Sequence, residues 1–295
     1  YAATDVRVAG DWPLEFLLMS DFGDPNPYDP GFRVWRFDPR GGAYVELTNA
    51  RVSETTASFG MLPGYTILTV PLATPRAIGL TGSTNRLEIL FPSMVLPEVG
   101  NAFGIRDTGT DLQRFTNALA AGYVDRPYGS RDGRRLALVR ERLDRSEPDR
   151  VYATTPSNPL LHLTRLATAA PGGRIGDLAF EPSGNSVLAA GHVDGSGQIG
   201  SGVFRIYVVG DDRPRLLYRD PGPTLPRSVA CSPDGATMAV TTSRYFPKAP
   251  LGANYDVVLA PVEGGPEPQG LTRLTEALHS PTTPLASVEA VCFSV

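Results

Sequence analysis

The sequence predicts an all-β protein made of repeated four-stranded antiparallel sheets, and three observations carry that prediction. Gly and Pro supply 31 and 28 of the 295 residues, enough backbone punctuation to exclude a protein of long helices. Apolar runs of strand length recur between the Gly/Pro clusters from one end of the chain to the other, the pattern of short strands joined by tight turns. The third observation is self-similarity at a period of about fifty residues, the mark of a repeat architecture.

In chain order, residues 14–19, 32–37 and 44–48 read as the second to fourth strands of a first unit, whose own first strand has no distinct segment. Residues 51–117 form the least regular unit. It opens with strands at 56–59 and 65–70 and closes with strands at 102–106 and 112–116, around an apparent insertion at 71–100 that carries strand-like 78–81 and 87–91. The third unit (118–167) reads as strands within 123–133, 135–139, 150–153 and 161–164. The fourth (173–220) has strands within 175–184, 186–190, 203–209 and 215–218, and the fifth (225–277) within 227–235, 237–243, 255–260 and 271–275. Units close on a shared phrase, Leu47-Thr48, Phe115-Thr116, Leu163-Thr164 and Leu274-Thr275, which aligns one copy with the next.

A four-stranded meander cannot bury both faces by itself, so the units must pack face to face. The closed radial solution is a β-propeller of four-stranded antiparallel blades, and an open double sheet is the alternative. Residues 288–294 repeat the opening strand of the fifth unit and then the chain stops. They are expected to pair with the N-terminal blade, so that residues 1–50 and 287–295 together make one blade and the ring closes without exposed edges. The count is five blades, or six if 71–117 holds a degenerate blade of its own.

The turns and strands of the fifth unit, Ser232-Pro233-Asp234-Gly235, then 238–243, 256–259 and Leu274-Thr275, resemble the TolB-like (WD-like) propeller repeat family. Glu181-Pro182-Ser183-Gly184 and Ser130-Arg131-Asp132-Gly133 are variants of the same turn, and Cys231 stands where the family has Phe. The likeness extends over 119–276 and, more loosely, over 14–48. It implies a propeller and leans toward extracytoplasmic protein binding; similar repeats form the regulatory propellers of some peptidases. The residues themselves give Asp132 and Asp234 a turn-forming role, because Asp bonds nearby backbone N–H groups while the following Gly takes positive φ.

Composition excludes several functions. Net charge is −4 and the pI is near 5.5, which removes nucleic acid as a partner. Lys248 is the one lysine, so the positive charge is arginine, a residue suited to planar contacts with carboxylates. No apolar stretch approaches the length of a membrane span. The chain begins at Tyr1 without a signal pattern, as a processed chain or part of a longer one would. Cys231 and Cys292 follow small apolar runs and read as buried, unpaired thiols.

The chemical inventory is thin. His162, His192 and His279 are scattered without metal-ligand spacing, no Gly-x-Ser-x-Gly elbow is present, and the glycine-rich 195–202 lacks the Lys of a phosphate loop. No cofactor and no catalytic residue is expected. Asp21, Asp24, Asn26 and Asp29 gather hard oxygen ligands in one loop and are a Ca2+ candidate, set against a rigid, solvated, proline-rich loop. The run of Arg131, Arg134, Arg135, Arg140, Arg142 and Arg145, mixed with Asp132, Glu141, Asp144 and Glu147, reads as a solvated face or as a docking patch. Long loops at 21–31, 71–100 and 244–254 carry Phe22, Tyr28, Tyr245 and Phe246, and with Arg140 and Arg142 these are the candidate interaction residues.

The function expected from this inventory is a non-catalytic periplasmic or extracellular scaffold that binds another protein, as an accessory subunit of a membrane-bound complex. Two alternatives stay open: a lyase or glycoside hydrolase with carboxylates in the central funnel, and a small-ligand or calcium sensor.

Overall fold

The computed structural model describes residues 5–8, 16–20, 33–38, 43–46, 76–80, 86–92, 101–106, 113–114, 116, 123–130, 135–142, 144–154, 164–169, 171, 173–194, 200–210, 213–222, 225–245 and 255–275. These residues form five four-stranded sheets, each built from strands consecutive in the chain. The first contains β1 (Asp5–Val8), β2 (Phe16–Ser20), β3 (Arg33–Asp38) and β4 (Ala43–Glu46). The second contains β5 (Arg76–Leu80), β6 (Arg86–Pro92), β7 (Ala102–Arg106) and β8 (Gln113–Arg114). The third contains β9 (Tyr123–Gly129), β10 (Leu136–Arg142), β11 (Arg150–Thr154) and β12 (Thr164–Thr168). The fourth contains β13 (Ile175–Phe180), β14 (Ser186–Gly191), β15 (Gly202–Tyr207) and β16 (Arg215–Arg219). The fifth contains β17 (Val229–Cys231), β18 (Thr237–Thr242), β19 (Asp256–Pro261) and β20 (Thr272–Arg273).

Two local devices reproduce this meander. The first is the turn between the opening strands: Ser130, Glu181 and Ser232 each donate a backbone N–H to the carbonyl five residues on, at Arg135, Ser186 and Thr237, over 2.9, 3.0 and 2.8 Å. Gly184 (φ 68°) and Gly235 (φ 74°) supply the left-handed backbone that the turn demands. In the Ser232 copy, Asp234 accepts from the Ser232 hydroxyl at 2.5 Å and from the Ala236 N–H at 3.0 Å, the turn-forming role expected of it.

The second device explains the recurrent threonine. The Thr116 hydroxyl accepts the Ala102 N–H at 2.9 Å, and the Thr275 hydroxyl accepts the Val257 N–H at the same distance. In both copies the threonine after the fourth strand ties down the start of the third, which pins their register. Asn101 and Asp256, one residue before those amides, are both fully buried.

The chain divides into two compact units, residues 1–136 with 155–162 and 294–295, and residues 137–154 with 163–293. Within the first unit, β9 lies against β5, β6 and β7. Within the second, β13 and β14 lie against β17, and the fourth and fifth sheets share a core. Leu188, Val203, Leu217 and Tyr218 from the fourth sheet meet Val229, Met238, Val240 and Val258 from the fifth, all fully buried. β14 is buried along its whole length, as expected of a strand covered on both faces.

Three expectations need correction. Residues 76–92, assigned to an insertion, supply the first two strands of the second sheet, with β6 pairing β7 from Glu88 opposite Arg106 to Pro92 opposite Ala102. Strand-like alternation at 86–92 outranked the assumption that the unit begins at once after residue 51; segments 56–59 and 65–70 lie outside the described residues. The first sheet has its own opening strand, β1, with Asp5 opposite Met19 and Val8 opposite Phe16. A four-residue strand shows only two periods of alternation, too little to stand out in the sequence. Finally, the fourth strand of the third sheet is 164–168 rather than 161–164, with Thr164 at its start opposite Ala153. Thr164 of that unit's phrase therefore opens the fourth strand, whereas Thr116 and Thr275 follow theirs. Residues 287–295 lie outside the described residues.

Candidate functional site

Buried carboxylates join successive sheets of the second unit. Asp149, ahead of β11, accepts the Ile175 N–H of β13 at 2.8 Å and pairs with Arg174 at 3.1 Å. Asp177 of β13 accepts the Ser228 hydroxyl at 2.6 Å and the Val229 N–H of β17 at 3.2 Å. Asp220, after β16, accepts the Thr242 hydroxyl of β18 at 2.8 Å and the Gly222 N–H at 2.9 Å. All three acids are at most 5% exposed, so each is held by hydrogen bonds that offset its desolvation. Sequence reasoning missed them, although acids inside apolar runs such as 175–180 were a readable signal.

The Asp220 staple organises one end of the fourth and fifth sheets. The end of β16 is there, with Arg219 opposite Gly202, and so are the end of β18 and the start of β19, with Thr242 opposite Asp256. Arg244 follows β18 and reaches back to the Tyr218 hydroxyl at 3.3 Å. The neighbouring Tyr245 is exposed and receives two guanidinium groups, Arg273 at 4.3 Å and Arg244 at 5.6 Å from its ring centroid, the geometry of cation–π contact. Arg273 also donates to the buried Asp256 carboxylate at 2.7 Å.

Burial dominates the electrostatics. It pushes the Asp220 carboxyl above its ordinary value of 3.8, against the bonds from Gly222 and Thr242 and the field of Arg244. The Tyr218 hydroxyl is raised for the same reason, reinforced by Asp220. The second oxygen of Asp220, Oδ2, is buried and has no hydrogen-bond partner among the described residues. Because the folded state holds this proton more tightly than the unfolded state, the contribution is full below about pH 3.8 and fades as pH rises through the folded value. Asp220→Asn is expected to flatten the stability profile above that pH; urea midpoints measured from pH 4 to 8 check this, and parallel profiles for the two proteins would refute it.

The other sequence-derived residues are distributed as follows. Arg140 lies over the Tyr152 ring at 5.2 Å. Arg142 forks onto Asp144 at 3.0 and 3.1 Å and onto Glu147 at 2.8 Å, and Glu147 also takes Arg150 at 2.8 Å. Asp144 is held below the usual carboxylate value chiefly by bonds from Ser146, then by Arg142. Arg174 reaches into this loop, donating to the carbonyls of Arg145 and Glu147 at 3.0 Å each. Arg140 and Arg142 thus belong to β10 of the third sheet, Arg142 paired with acids of the loop that follows it, and Tyr245 to the connection after β18 of the fifth. Cys231 is a half-buried free thiol, pushed up to about 11 by burial and then by Glu181 and Asp234, which favours the thiol over the thiolate near neutral pH. His192 follows β14 and donates its backbone N–H to Arg174 at 2.9 Å.

Phe22, Tyr28, Phe246, the Ca2+ candidates Asp21, Asp24, Asn26 and Asp29, and His162, His279 and Cys292 lie outside the described residues. Among the described residues, no group of three or more His, Cys, Asp or Glu side chains gathers as a metal site, and no helix is long and apolar enough to cross a membrane.

No protein-family model matches the sequence, and no curated protein does so. Solved structures do. A TolB protein from Agrobacterium tumefaciens is 16% identical, with a TM-score of 0.53 over 91% of this chain and 78% of that one. A prolyl endopeptidase is 13% identical, with a TM-score of 0.52 over 91% of this chain; the match spans 35% of the peptidase. Likeness at such identities speaks to fold alone. The chain is an all-β protein of antiparallel four-stranded sheets whose structural neighbours include TolB-like propellers.

Proposed function

We propose that the five sheets are the blades of one β-propeller and that it serves outside the cytoplasm as a non-catalytic scaffold. It binds another protein, as an accessory subunit of a membrane-bound complex. The observation that carries this reading is Tyr245, an exposed aromatic that receives two guanidinium groups, on a connection braced by the buried Asp220 and Asp256. Aromatic and arginine side chains on rigid supports are the usual anchors of protein interfaces. The TolB likeness supports the propeller architecture.

The test is a photo-crosslinking amino acid placed at Tyr245 and, in a second protein, at Asp234 in the turn at the other end of the fifth sheet. Irradiated in the cells that make the protein and extracted in mild detergent, the first is expected to yield a discrete heavier adduct and the second none. A chain that stays uncrosslinked at position 245 contradicts the reading.

A further inference from the structure

The partner's chemistry can be argued from Arg244, on the reading that this end of the sheets is an interface. Several described arginines of the second unit spend their charge on the protein's own carboxylates: Arg142, Arg150, Arg174, Arg205, Arg215 and Arg273 each pair within 4.0 Å. Arg244 is different. Its side chain meets a tyrosine hydroxyl and a tyrosine ring. The nearby Asp220 acts on it through its field, while Thr242 and Gly222 bind one oxygen of that carboxylate. The guanidinium is therefore positioned from behind while its charge goes without an ion pair among the described residues. Tyr245 beside it offers an exposed apolar ring, 37% exposed, whose face is already polarised by two cations.

We propose that Arg244 and Tyr245 form a docking point for an acidic peptide segment of a partner protein, in which one Asp or Glu carboxylate takes the Arg244 guanidinium and an adjacent apolar side chain covers the Tyr245 ring. A guanidinium presents paired N–H donors that match a carboxylate's two oxygens. Because the side chain is already held by Tyr218, little rotamer freedom is lost on binding. The chain's net charge of −4 disfavours unspecific capture of anions, so a localised cation beside an aromatic selects a carboxylate with an apolar neighbour over a diffuse polyanion.

The experiment is selection of a random twelve-residue peptide display library against the whole chain and, in parallel, against Arg244→Gln. Peptides from the wild-type chain are expected to be enriched in Asp or Glu next to an aromatic or aliphatic residue. The best of them, labelled with a fluorophore, is expected to bind about tenfold or more weakly to Arg244→Gln and several-fold more weakly to Tyr245→Ala, with melting temperatures unchanged. Raising salt from 50 to 500 mM should weaken the wild-type complex. Absence of acidic enrichment, or equal binding to wild type and Arg244→Gln, overturns the proposal. So does equal competition by phosphatidylglycerol vesicles, which would mark the site as a lipid contact. Crosslinking at position 245 without acidic peptide binding would remove this partner chemistry and leave the scaffold reading standing; peptide binding without crosslinking would do the reverse.

Discussion

Asp177→Ala is expected to lower the unfolding free energy by about 3 kcal/mol, the scale for leaving buried donors without their charged acceptor. The carboxylate is 5% exposed and serves three groups: the Leu178 N–H at 3.0 Å, the Ser228 hydroxyl and the Val229 N–H. Two of the three belong to the next sheet, so the substitution weakens the seam between the fourth and fifth sheets as well as the strand that carries it. Water cannot replace the lost acceptor without opening the core that begins at Val229. Urea denaturation followed by circular dichroism reads the effect as a lower midpoint. The comparison is Asp234→Ala, which removes an exposed turn acceptor and is expected to lower the midpoint far less. Equal losses for the two variants would mean that the seam does not depend on Asp177.

Gly202→Ala is expected to be comparably severe, about 3 kcal/mol or more, for a steric reason. A methyl group there runs into the carbonyl oxygen of Tyr218 and approaches Leu216 Cδ1 at 3.0 Å. One obstacle is backbone, and the other is a side chain packed in the core, so the β15–β16 pair must separate or shift register. Gly202 lies opposite Gly191 on one side and Arg219 on the other, directly before the Asp220 staple. Distortion at this point therefore travels to the Arg244–Tyr245 end of the sheets. Thermal melting should fall by roughly 6 °C or more. Gly265→Ala is the control: its methyl meets nothing within 4 Å and its cost comes only from φ +79°, about 1 kcal/mol. A Gly202→Ala protein that melts like wild type would show that β16 can move aside.

The fourth and fifth sheets were legible almost residue by residue, because two short-range rules write them into the chain. The Pro-x-Gly turn sets where β13 ends and β14 begins, and again where β17 ends and β18 begins, and alternation of apolar residues does the rest. The Thr275 hydroxyl lock was visible as a recurrent phrase, though its partner, the Val257 N–H eighteen residues back, was not. The second sheet was misjudged for the opposite reason. It lacks the turn motif, and nothing local states that β5 should follow a long connection from β4.

At the candidate site the same division holds. Tyr245 stood out as an aromatic in a loop, and the arginines as a cluster. Arg244 and Arg273, far apart in sequence, gave no sign that they share one ring. Arg142, conspicuous in sequence, is paired with two acids of the loop that follows its strand.

The amino-acid order by itself determined the all-β class, the four-strand period and the turn chemistry, since each depends on residues a few positions apart and on backbone preferences that act locally. Only the tertiary structure decided which acids become staples and that Arg244, among the described residues, meets tyrosines rather than a carboxylate. Those outcomes depend on burial and on contacts between sheets, where the strength of a charge is set by the neighbours that exclude water from it.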